Sequence, residues 1–446
     1  MLILFLALAS KADGVKSVNH YSSADGLSDN RITMVTKDRE GFVWLGSWAG
    51  INRFDGKNFI SFKSNPGDSS KLRSNRIDGI VEDKSSYYLW VKAYDNQIYR
   101  FDKRTHIFTP LEELITNDFF NRTLFNKILA VYADQVWLKT ANEELVVVED
   151  AAGKYPKFRC FKKAKNDRKL QFFHLDSRGR AWISYGSALK VIERDNHCQY
   201  SQRLLSSGFA TNPFRLIEED SEGNIWLSHS SGLIEKYSYS LKRLAQINLS
   251  SALIHDIKAA DNSPGLYLTN SLGELLEIDA DNAISIIVST PDHSPLFSIF
   301  QESSGSLWAE SAHFGFIRWD VHQKAMEPIL EKGDYQLSPW VNNFSIFEDI
   351  NQQVWFCSRN NDLFFYDYSK GHVSRFSTSQ GGTNMSFSKI IQDIAYHHAD
   401  AIWVISDHGG VDKIVLQGNY FEQIYPFPKD KVRVENEVRG LYADKN

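Results

Sequence analysis

Short apolar runs alternate with polar turns along almost the whole chain, and a bulky aromatic residue recurs in these runs at a regular interval. The spacing between successive aromatics is 41 to 48 residues, and they are Trp44, Trp90, Trp137, Trp182, Trp226, Tyr267, Trp308, Trp355 and Trp403. A period of this length is typical of an array of supersecondary units that bury their apolar faces only against one another. The pattern therefore predicts a repeat protein.

One repeat indicates which kind of array this is. The first contains four apolar runs, at residues 32–35, 42–46, 50–55 and 59–62, each bounded by Gly, Asp, Asn or Ser. Runs this short with such boundaries are typical of β-strands rather than helices. Four short strands in a unit of about 45 residues is the size of one propeller blade. The sequence thus predicts an all-β fold, a β-propeller of four-stranded blades.

A turn motif of the form acid-x-x-Gly-x-x-Trp precedes four of the aromatics. It begins at Asp38, Asp176, Asp220 and Glu302. An Asp side chain can bond to its own turn, and Gly accepts a positive φ without steric cost, so the motif fits a tight hairpin. In other repeats the turn has drifted, as at residues 83–85 and 349–352, while the aromatic remains. Retention of the aromatic alone predicts that these tryptophans are core residues.

The spacing of the repeats predicts blades and leaves more than one blade count open. We expect a seven-bladed first ring at residues 16–325, closed by an N-terminal strand at residues 18–21 that pairs with the last blade. Residues 326–446 would then form the first two to three blades of a truncated second propeller, and a tenth unit begins at residues 438–446. The alternative is one ring of eight or nine blades. A partial ring leaves an open sheet edge, so we expect the natural chain to continue or the last units to pack on something else.

Composition restricts the partners and the compartment. The net charge is -5 and no basic stripe is present, so nucleic acid is not an expected partner. Residues 1–9 are apolar and end on the small-x-small pattern of a cleaved export signal, although the expected basic start is missing. We therefore interpret residues 1–15 as a signal peptide or its remnant; a disordered apolar tail is the alternative. The three cysteines, Cys160, Cys198 and Cys357, are expected to be buried free thiols.

No motif for catalysis or cofactor binding is found. The acid-x-x-Gly spacing differs from the Asp box of sialidase propellers, and glycosidase chemistry needs two converging carboxylates that a sequence cannot reveal. His313, His408 and the pair at residues 397–398 lack metal-ligand spacing, so we expect solvated loop histidines. No Gly-rich phosphate loop leads from a strand into a helix. We therefore predict no catalytic residues, no metal and no cofactor.

Binding residues are predicted on one face of the propeller. Two kinds of loop open onto that face around the central channel: those joining one blade to the next, and those between the second and third strands of a blade. The candidates in these loops are Asn30, Arg31, Trp48, Asn75, Arg76, Tyr94, Arg215, His229, His313, Arg359 and His408. Trp48 is notable because packing does not demand an indole beyond the core Trp44. Aromatic faces beside Arg or Asn suit sugar rings and their polar groups, although the Asn-Arg pairs and Trp48 have a structural interpretation too, as ties between blades or as packing.

The first repeat also resembles a known family. Gly26-Leu27-Ser28-Asp29-Asn30-Arg31-Ile32, followed by Asp38-x-x-Gly41-Phe42-Val43-Trp44-Leu45-Gly46 and Gly50-Ile51-Asn52-Arg53-Phe54-Asp55-Gly56, is similar to the two-component regulator propeller repeat. That repeat builds extracytoplasmic sensors of bacterial hybrid histidine kinases. The resemblance implies two seven-bladed propellers, a β-sandwich, a membrane helix and a cytoplasmic output module, of which this chain holds only propeller repeats. It also implies oligosaccharides as common ligands.

Three functional hypotheses follow. The first is the periplasmic ligand-sensing propeller of a two-component receptor, which binds an oligosaccharide or similar small ligand, pairs with a second copy in a receptor dimer and meets the membrane only through a segment outside this chain. The second is a stand-alone secreted or periplasmic propeller that binds glycans or proteins without signalling. The third is a hydrolase or lyase that uses carboxylates at the channel mouth.

Overall fold

The computed structural model consists of antiparallel sheets arranged around a common axis. It describes residues 15, 17–65, 67–68, 70–115, 123–164, 169–185, 188–195, 197–207, 213–249, 252–261, 263–330, 344–358, 363–368, 371–376, 391–397 and 401–416. These residues form nine four-stranded sheets, each built from strands that are neighbours in sequence except for one N-terminal strand. The predicted all-β propeller of four-stranded blades is confirmed.

Each blade runs from an inner strand at the channel to an outer strand at the rim. The N-terminal strand is β1 (Ser17–Tyr21). Blades 1 to 3 contain β2 (Ile32–Lys37), β3 (Val43–Ser47), β4 (Gly50–Phe54) and β5 (Phe59–Phe62); β6 (Ile77–Glu82), β7 (Tyr88–Ala93), β8 (Ile98–Asp102) and β9 (Phe108–Pro110); and, after the short helix α1 (Leu111–Leu114), β10 (Phe125–Tyr132), β11 (Gln135–Thr140), β12 (Leu145–Glu149) and β13 (Lys157–Phe161).

The remaining six blades repeat this order. Blades 4 to 6 contain β14 (Leu170–Leu175), β15 (Ala181–Tyr185), β16 (Ala188–Arg194) and β17 (Tyr200–Ser207); β18 (Phe214–Glu219), β19 (Ile225–His229), β20 (Leu233–Tyr237) and β21 (Arg243–Asn248); and β22 (Ile254–Ala259), β23 (Leu266–Asn270), β24 (Glu274–Ile278) and β25 (Ile284–Ser289). Blades 7 to 9 contain β26 (Leu296–Gln301), β27 (Leu307–Ser311), β28 (Gly315–Asp320) and β29 (Ala325–Leu330); β30 (Phe344–Glu348), β31 (Val354–Ser358), β32 (Leu363–Asp367) and β33 (His372–Arg375); and β34 (Ile391–His397), β35 (Ala401–Ser406) and β36 (Gly410–Val415).

The N-terminal strand closes the ring on the ninth blade. Strand β1 pairs antiparallel with β36 from Ser17 opposite Val415 to Tyr21 opposite Val411, and so supplies the fourth strand of that blade. Strand β2 of blade 1 lies against β34 and β35 of blade 9. The prediction that an N-terminal strand completes the closing blade is confirmed, but that blade is the ninth and not the seventh, as the predicted ring at residues 16–325 required.

The predicted blade count is wrong. The seven-bladed first ring with the start of a second propeller is replaced by nine blades, which matches the alternative of one larger ring. The physical reason is that repeat spacing reports the size of a blade and not the angle between blades. Where the ring closes is decided by which blade offers an open outer edge to β1. The signal sequence predicted at residues 1–15 lies almost entirely outside the described residues, as does the tenth unit at 438–446.

The turn motif works by linking each turn to the core indole. In blade 1, one oxygen of Asp38 accepts the backbone N–H groups of Glu40 at 3.1 Å and Phe42 at 2.9 Å, which holds the hairpin. The other oxygen accepts the indole N–H of Trp44 at 2.8 Å. The acid and the tryptophan must therefore be six residues apart, which explains the fixed spacing.

The same bond recurs where the motif is intact and in one repeat where it is not. The pairs and their indole N to carboxylate distances are Trp182–Asp176 at 2.9 Å, Trp226–Asp220 at 2.9 Å, Trp308–Glu302 at 2.5 Å and Trp355–Asp349 at 2.8 Å. Ahead of Trp355 the glycine is replaced by Gln352, which adopts a φ of +60° itself. In blades 2 and 3 the turn has changed, and the buried indole nitrogens of Trp90 and Trp137 have no acceptor in the described chain.

The tryptophans fill the spaces between neighbouring blades, as predicted. All eight anchor tryptophans are buried, and Trp226 of blade 5, for example, packs with Ile254 and Leu268 of blade 6.

The three cysteines form no disulfide, and Cys357 is buried whereas Cys198 is exposed, contrary to the expectation of burial. No helix in the described residues is long and apolar enough to cross a membrane.

Gly410 provides a test of the closure. Its φ is +85°, and a Cβ there would lie 2.2 Å from the carbonyl oxygen of Tyr21 in β1. Gly50 is the equivalent residue of blade 1, where a Cβ would lie 2.2 Å from the carbonyl oxygen of Phe62 in β5. We expect Gly410→Ala to release β1 from β36 and to speed amide hydrogen exchange at residues 17–21 by about 10-fold or more, because the clash adds to the cost of a left-handed alanine. Gly50→Ala is the matched control, since it should speed exchange in β5 and leave β1 protected; equal protection of β1 in both variants would contradict this role of Gly410.

Candidate functional site

The candidate site lies on the face where the inner strands begin. In blade 1, Ile32 at the start of β2 pairs with Ser47 at the end of β3, so the loop that enters a blade and the turn between its second and third strands lie at the same end of the sheet. The same pairing joins Ile77 to Ala93 in blade 2 and Ile391 to Ser406 in blade 9. This face is the one on which the sequence placed the binding residues.

A β-bulge near the start of the inner strand marks this face in eight blades. The register shifts directly after the first strand residue in every described inner strand except β30. The residues that fall within the bulges are Thr33, Asp78, Asn126, Gln171, Arg215, His255, Phe297, Ser298 and Gln392. Bulges bend a strand and re-aim a side chain, and they are frequent beside binding sites. The bulges therefore form a repeated ring of mostly polar residues at one end of the inner strands.

Several side chains of this ring have partners, and others have none in the described chain. Asp78 accepts from Lys92 at 2.7 Å, and Gln392 donates to Asp407 at 2.9 Å. Three buried polar atoms lack a hydrogen-bond partner among the described residues, and they are Thr33 Oγ1, Asn126 Oδ1 and His255 Nε2. Burial, with the nearby charge of Arg215, lowers the pKa of His255.

Of the bulge residues, the sequence predicted only Arg215 as a site residue. A bulge is an extra residue between two paired residues, and no sequence motif marks its position.

The most distinctive cluster lies where blades 9, 1 and 2 meet. Trp48, in the turn after β3, is 38% exposed. The guanidinium carbons of Arg31 and Arg76 each lie 4.2 Å from the centre of its ring. Arg76 also lies 3.8 Å from the ring centre of Tyr94, which is 57% exposed. The ring of His408 from blade 9 is 6.4 Å from that of Trp48. We call these five residues the Trp48 cluster.

The backbone fixes the positions of this cluster. The N–H of Trp48 donates to the carbonyl of Arg31 at 3.1 Å, and the N–H of Tyr94 donates to the carbonyl of Arg76 at 2.8 Å. Each arginine therefore lies beside the aromatic residue of its own blade. The ring of Trp48 then reaches Arg76 of the next blade, so aromatic and cationic groups alternate across the boundary between blades.

The predicted asparagines hold the entering loops rather than offering free side chains. The Oδ1 of Asn30 accepts the N–H of Ser23 at 2.6 Å, and Asn75 accepts the N–H of Ser64 at the same distance. The carbonyl of Asn30 also accepts the N–H of Gly410 at 2.9 Å, which joins blade 1 to blade 9. These contacts fit the structural interpretation of the Asn-Arg pairs for the asparagines.

The two arginines of the cluster differ in their charge partners. Arg31 forms a bidentate pair with Asp29, with Nε and Nη2 at 3.0 and 2.9 Å from its oxygens. The side-chain hydrogen bonds from Arg31 lower the pKa of Asp29. No carboxylate or carbonyl of the described chain accepts a hydrogen bond from the guanidinium of Arg76, and its Nε is buried without a partner. Within the described part of the chain, Arg76 is thus the cation of the cluster that has no partner anion.

The other predicted residues lie elsewhere on the ring. His229 of blade 5 is buried and pairs with Glu235 at 3.1 Å. Burial acts to raise the pKa of Glu235, but the hydrogen bonds from His229 and Arg243 outweigh it and lower that pKa. Arg215 is also in blade 5, His313 of blade 7 pairs with Asp292, and Arg359 lies outside the described residues.

No group of metal-ligating side chains is found in the part of the chain that the structure describes.

Comparison with known proteins agrees with the repeat seen in the sequence. The family model of the two component regulator propeller matches residues 26–49, which span the entry into blade 1 and the turn that carries Trp48. A histidine kinase, P4, of Formosa agariphila is 34% identical over 73 residues, which make up 16% of this chain and 5% of that protein. The matched segment therefore spans a small part of this curated relative.

The chain is similar to solved structures at low sequence identity. The Dos1 propeller has a TM-score of 0.50 at 11% identity, over 92% of this chain and 96% of that one. The extracellular domain of a hybrid two component system from B. thetaiotaomicron has a TM-score of 0.36 at 16% identity, over 88% of this chain and 57% of that one. At such identities the Dos1 likeness shows the fold alone. The chain is a β-propeller that carries the two component regulator propeller repeat.

Proposed function

We propose that this chain is the extracytoplasmic, periplasmic ligand-sensing propeller of a bacterial two-component receptor, and that the Trp48 cluster binds an oligosaccharide or similar small ligand. The family repeat at residues 26–49 and the segment shared with a histidine kinase support the sensing role. The observation that carries the proposed site is a partly exposed indole with two arginines against its ring at a blade boundary. Packing does not require it, since the core of blade 1 is already filled by Trp44.

The cluster has the chemistry that a saccharide needs. The partly exposed rings of Trp48 and Tyr94 offer apolar surface for the C–H groups of sugar rings, and the cation of Arg76 and the imidazole of His408 offer polar contacts beside them. The arginine contacts also restrain the aromatic side chains before ligand arrives. This lowers the entropy cost of binding.

The location of the cluster suggests how binding would be transmitted. His408 belongs to blade 9, Trp48 to blade 1 and Tyr94 to blade 2, so one ligand would contact both sides of the closing seam. Gly410, two residues after His408, holds that seam through its bond to the carbonyl of Asn30. A ligand that favours one arrangement of these blades would shift the population of receptor conformations and bias a transmitter outside this chain.

Replacing Trp48 with alanine tests the site. We expect Trp48→Ala to weaken oligosaccharide binding by about 10-fold or more while leaving the melting temperature nearly unchanged, because the lost group is a half-exposed platform. The measurement is isothermal titration calorimetry with the oligosaccharides found by a glycan screen of the wild-type propeller. A large loss of stability would instead assign Trp48 to the core.

Tyr239 supplies a matched control for this variant. It is 54% exposed, and the centre of its ring lies 4.4 Å from the guanidinium carbon of Arg178. Tyr239 lies in the turn between β20 and β21, at the end of its blade opposite to the face that carries the Trp48 cluster. Tyr239→Ala therefore removes a similar exposed aromatic and should leave binding intact. In the native host, loss of ligand-dependent transcription in Trp48→Ala but not in Tyr239→Ala would support signalling; equal responses in both strains would contradict it.

A further inference from the structure

We infer that Arg76 is the binding point for an anionic group, so that the ligand of the Trp48 cluster is an acidic oligosaccharide bearing carboxylate or sulfate. This inference rests on the proposed function, because it names the ligand class of the same site. It follows from the contacts of Arg76 and from the charges around it.

The guanidinium of Arg76 is held in place by aromatic rings and not by hydrogen bonds to the described chain. Arg76 lies directly before β6, its guanidinium carbon is 3.8 Å from the ring centre of Tyr94, and it is 4.2 Å from that of Trp48. Stacking on aromatic faces satisfies the flat surfaces of a guanidinium and leaves its N–H groups, which point outward in the plane, uncommitted. In the described chain none of these donors has an acceptor, and Nε is shielded from solvent.

The neighbouring cations are paired with carboxylates, whereas Arg76 has no such partner among the described residues. Arg31 is paired in two places with Asp29, and Lys92 of the adjacent strand lies 2.7 Å from Asp78. These two carboxylates already serve other cations. An anionic group of the ligand would therefore pair with the guanidinium of Arg76 without competition from these carboxylates. It would also supply an acceptor for the shielded Nε–H of Arg76.

The geometry favours an anion attached to a sugar ring. A guanidinium donates two parallel hydrogen bonds to a carboxylate or sulfate. The rings of Trp48 and Tyr94 lie against the same guanidinium and both remain partly exposed, so a sugar ring that contacts either aromatic places its acidic substituent beside Arg76. Carboxylate and sulfate share this chemistry, and the choice of probes separates them.

Three galactose-based probes test the inference by calorimetry on the full chain. They are oligogalacturonate, which carries only carboxylates, carrageenan oligosaccharide, which carries only sulfates, and neutral galactan oligosaccharide. We expect at least one acidic probe to bind, Arg76→Gln to weaken that binding about 10-fold or more, and methyl esterification of a bound oligogalacturonate to have the same effect. Arg76→Lys should restore part of the affinity, because it keeps the charge and loses the bidentate geometry.

The outcomes separate this inference from the proposed function. Binding of the neutral probe that is lost in Trp48→Ala but unaffected by Arg76→Gln would keep the sugar site and overturn the anionic ligand. Failure of both acidic probes to bind the wild-type chain would overturn it too, as would acidic binding that Arg76→Gln leaves unchanged. The melting transition of Arg76→Gln, which we expect to match the wild type, excludes misfolding as the cause of a loss.

Discussion

Trp355→Phe is expected to reduce the free energy of unfolding by about 2 kcal/mol more than Trp90→Phe does. Both indoles are buried between blades, and both substitutions remove a similar volume. The indole N–H of Trp355 donates to Asp349 Oδ2 at 2.8 Å, so its removal takes the partner from a buried carboxylate oxygen. The N–H of Trp90 has no acceptor in the described chain, so phenylalanine there removes a buried donor that was never satisfied.

Urea denaturation of the two variants and the wild type at pH 7.5 measures this difference. Burial already raises the pKa of Asp349, and loss of the indole donor should raise it further. The extra cost in Trp355→Phe should therefore shrink as the pH falls and the carboxyl group becomes protonated. Equal losses in both variants at all pH values would show that the acid in the turn motif shapes the hairpin without supporting the tryptophan.

The fold was largely predictable because the signal is repeated nine times. The strand pattern, the burial of Trp44 and its equivalents and the role of the N-terminal strand all follow from apolar periodicity and turn chemistry, which are local properties. The number of blades is not local. Closure depends on the pairing of Tyr21 with Val411, nearly four hundred residues apart, and nothing in the spacing near residue 325 distinguishes an end of the ring from a continuation.

The site was predictable in part for the same reason. Loop position identified all five residues that the structure brings together in the Trp48 cluster, which are Arg31, Trp48, Arg76, Tyr94 and His408. In the described chain Asp29 pairs with Arg31 and leaves Arg76 without a carboxylate. The sequence alone does not show with which arginine Asp29 pairs. The ring of bulge residues went unseen because register shifts are decided between strands.

Glu310 should make the stability of the propeller depend on pH near neutrality. This side chain in β27 is 3% exposed, its Oε2 has no hydrogen-bond partner in the described chain, and burial raises its pKa to about 7. The folded state therefore binds a proton more tightly than the unfolded chain, in which glutamate titrates near 4.5. Stability from this group is fully present below pH 4.5, falls as the pH rises toward 7 and stays at its lowest value above that.

Glu310→Gln removes this titration while keeping the shape of the side chain. The stability of the variant relative to the wild type should increase by about 3 kcal/mol between pH 4.5 and pH 8, since each unit of pKa difference corresponds to roughly 1.4 kcal/mol. Urea midpoints at several pH values measure this change. Any cost of burying the amide is the same at every pH, so it does not affect the difference between pH 4.5 and pH 8.

Glu222→Gln, at an exposed turn of blade 5, is the control and should show no such gain. A difference between Glu310→Gln and wild type that stays flat across this range would mean that the carboxylate of Glu310 is stabilised when charged, and the space between blades 7 and 8 would then have to admit water or a cation beside it.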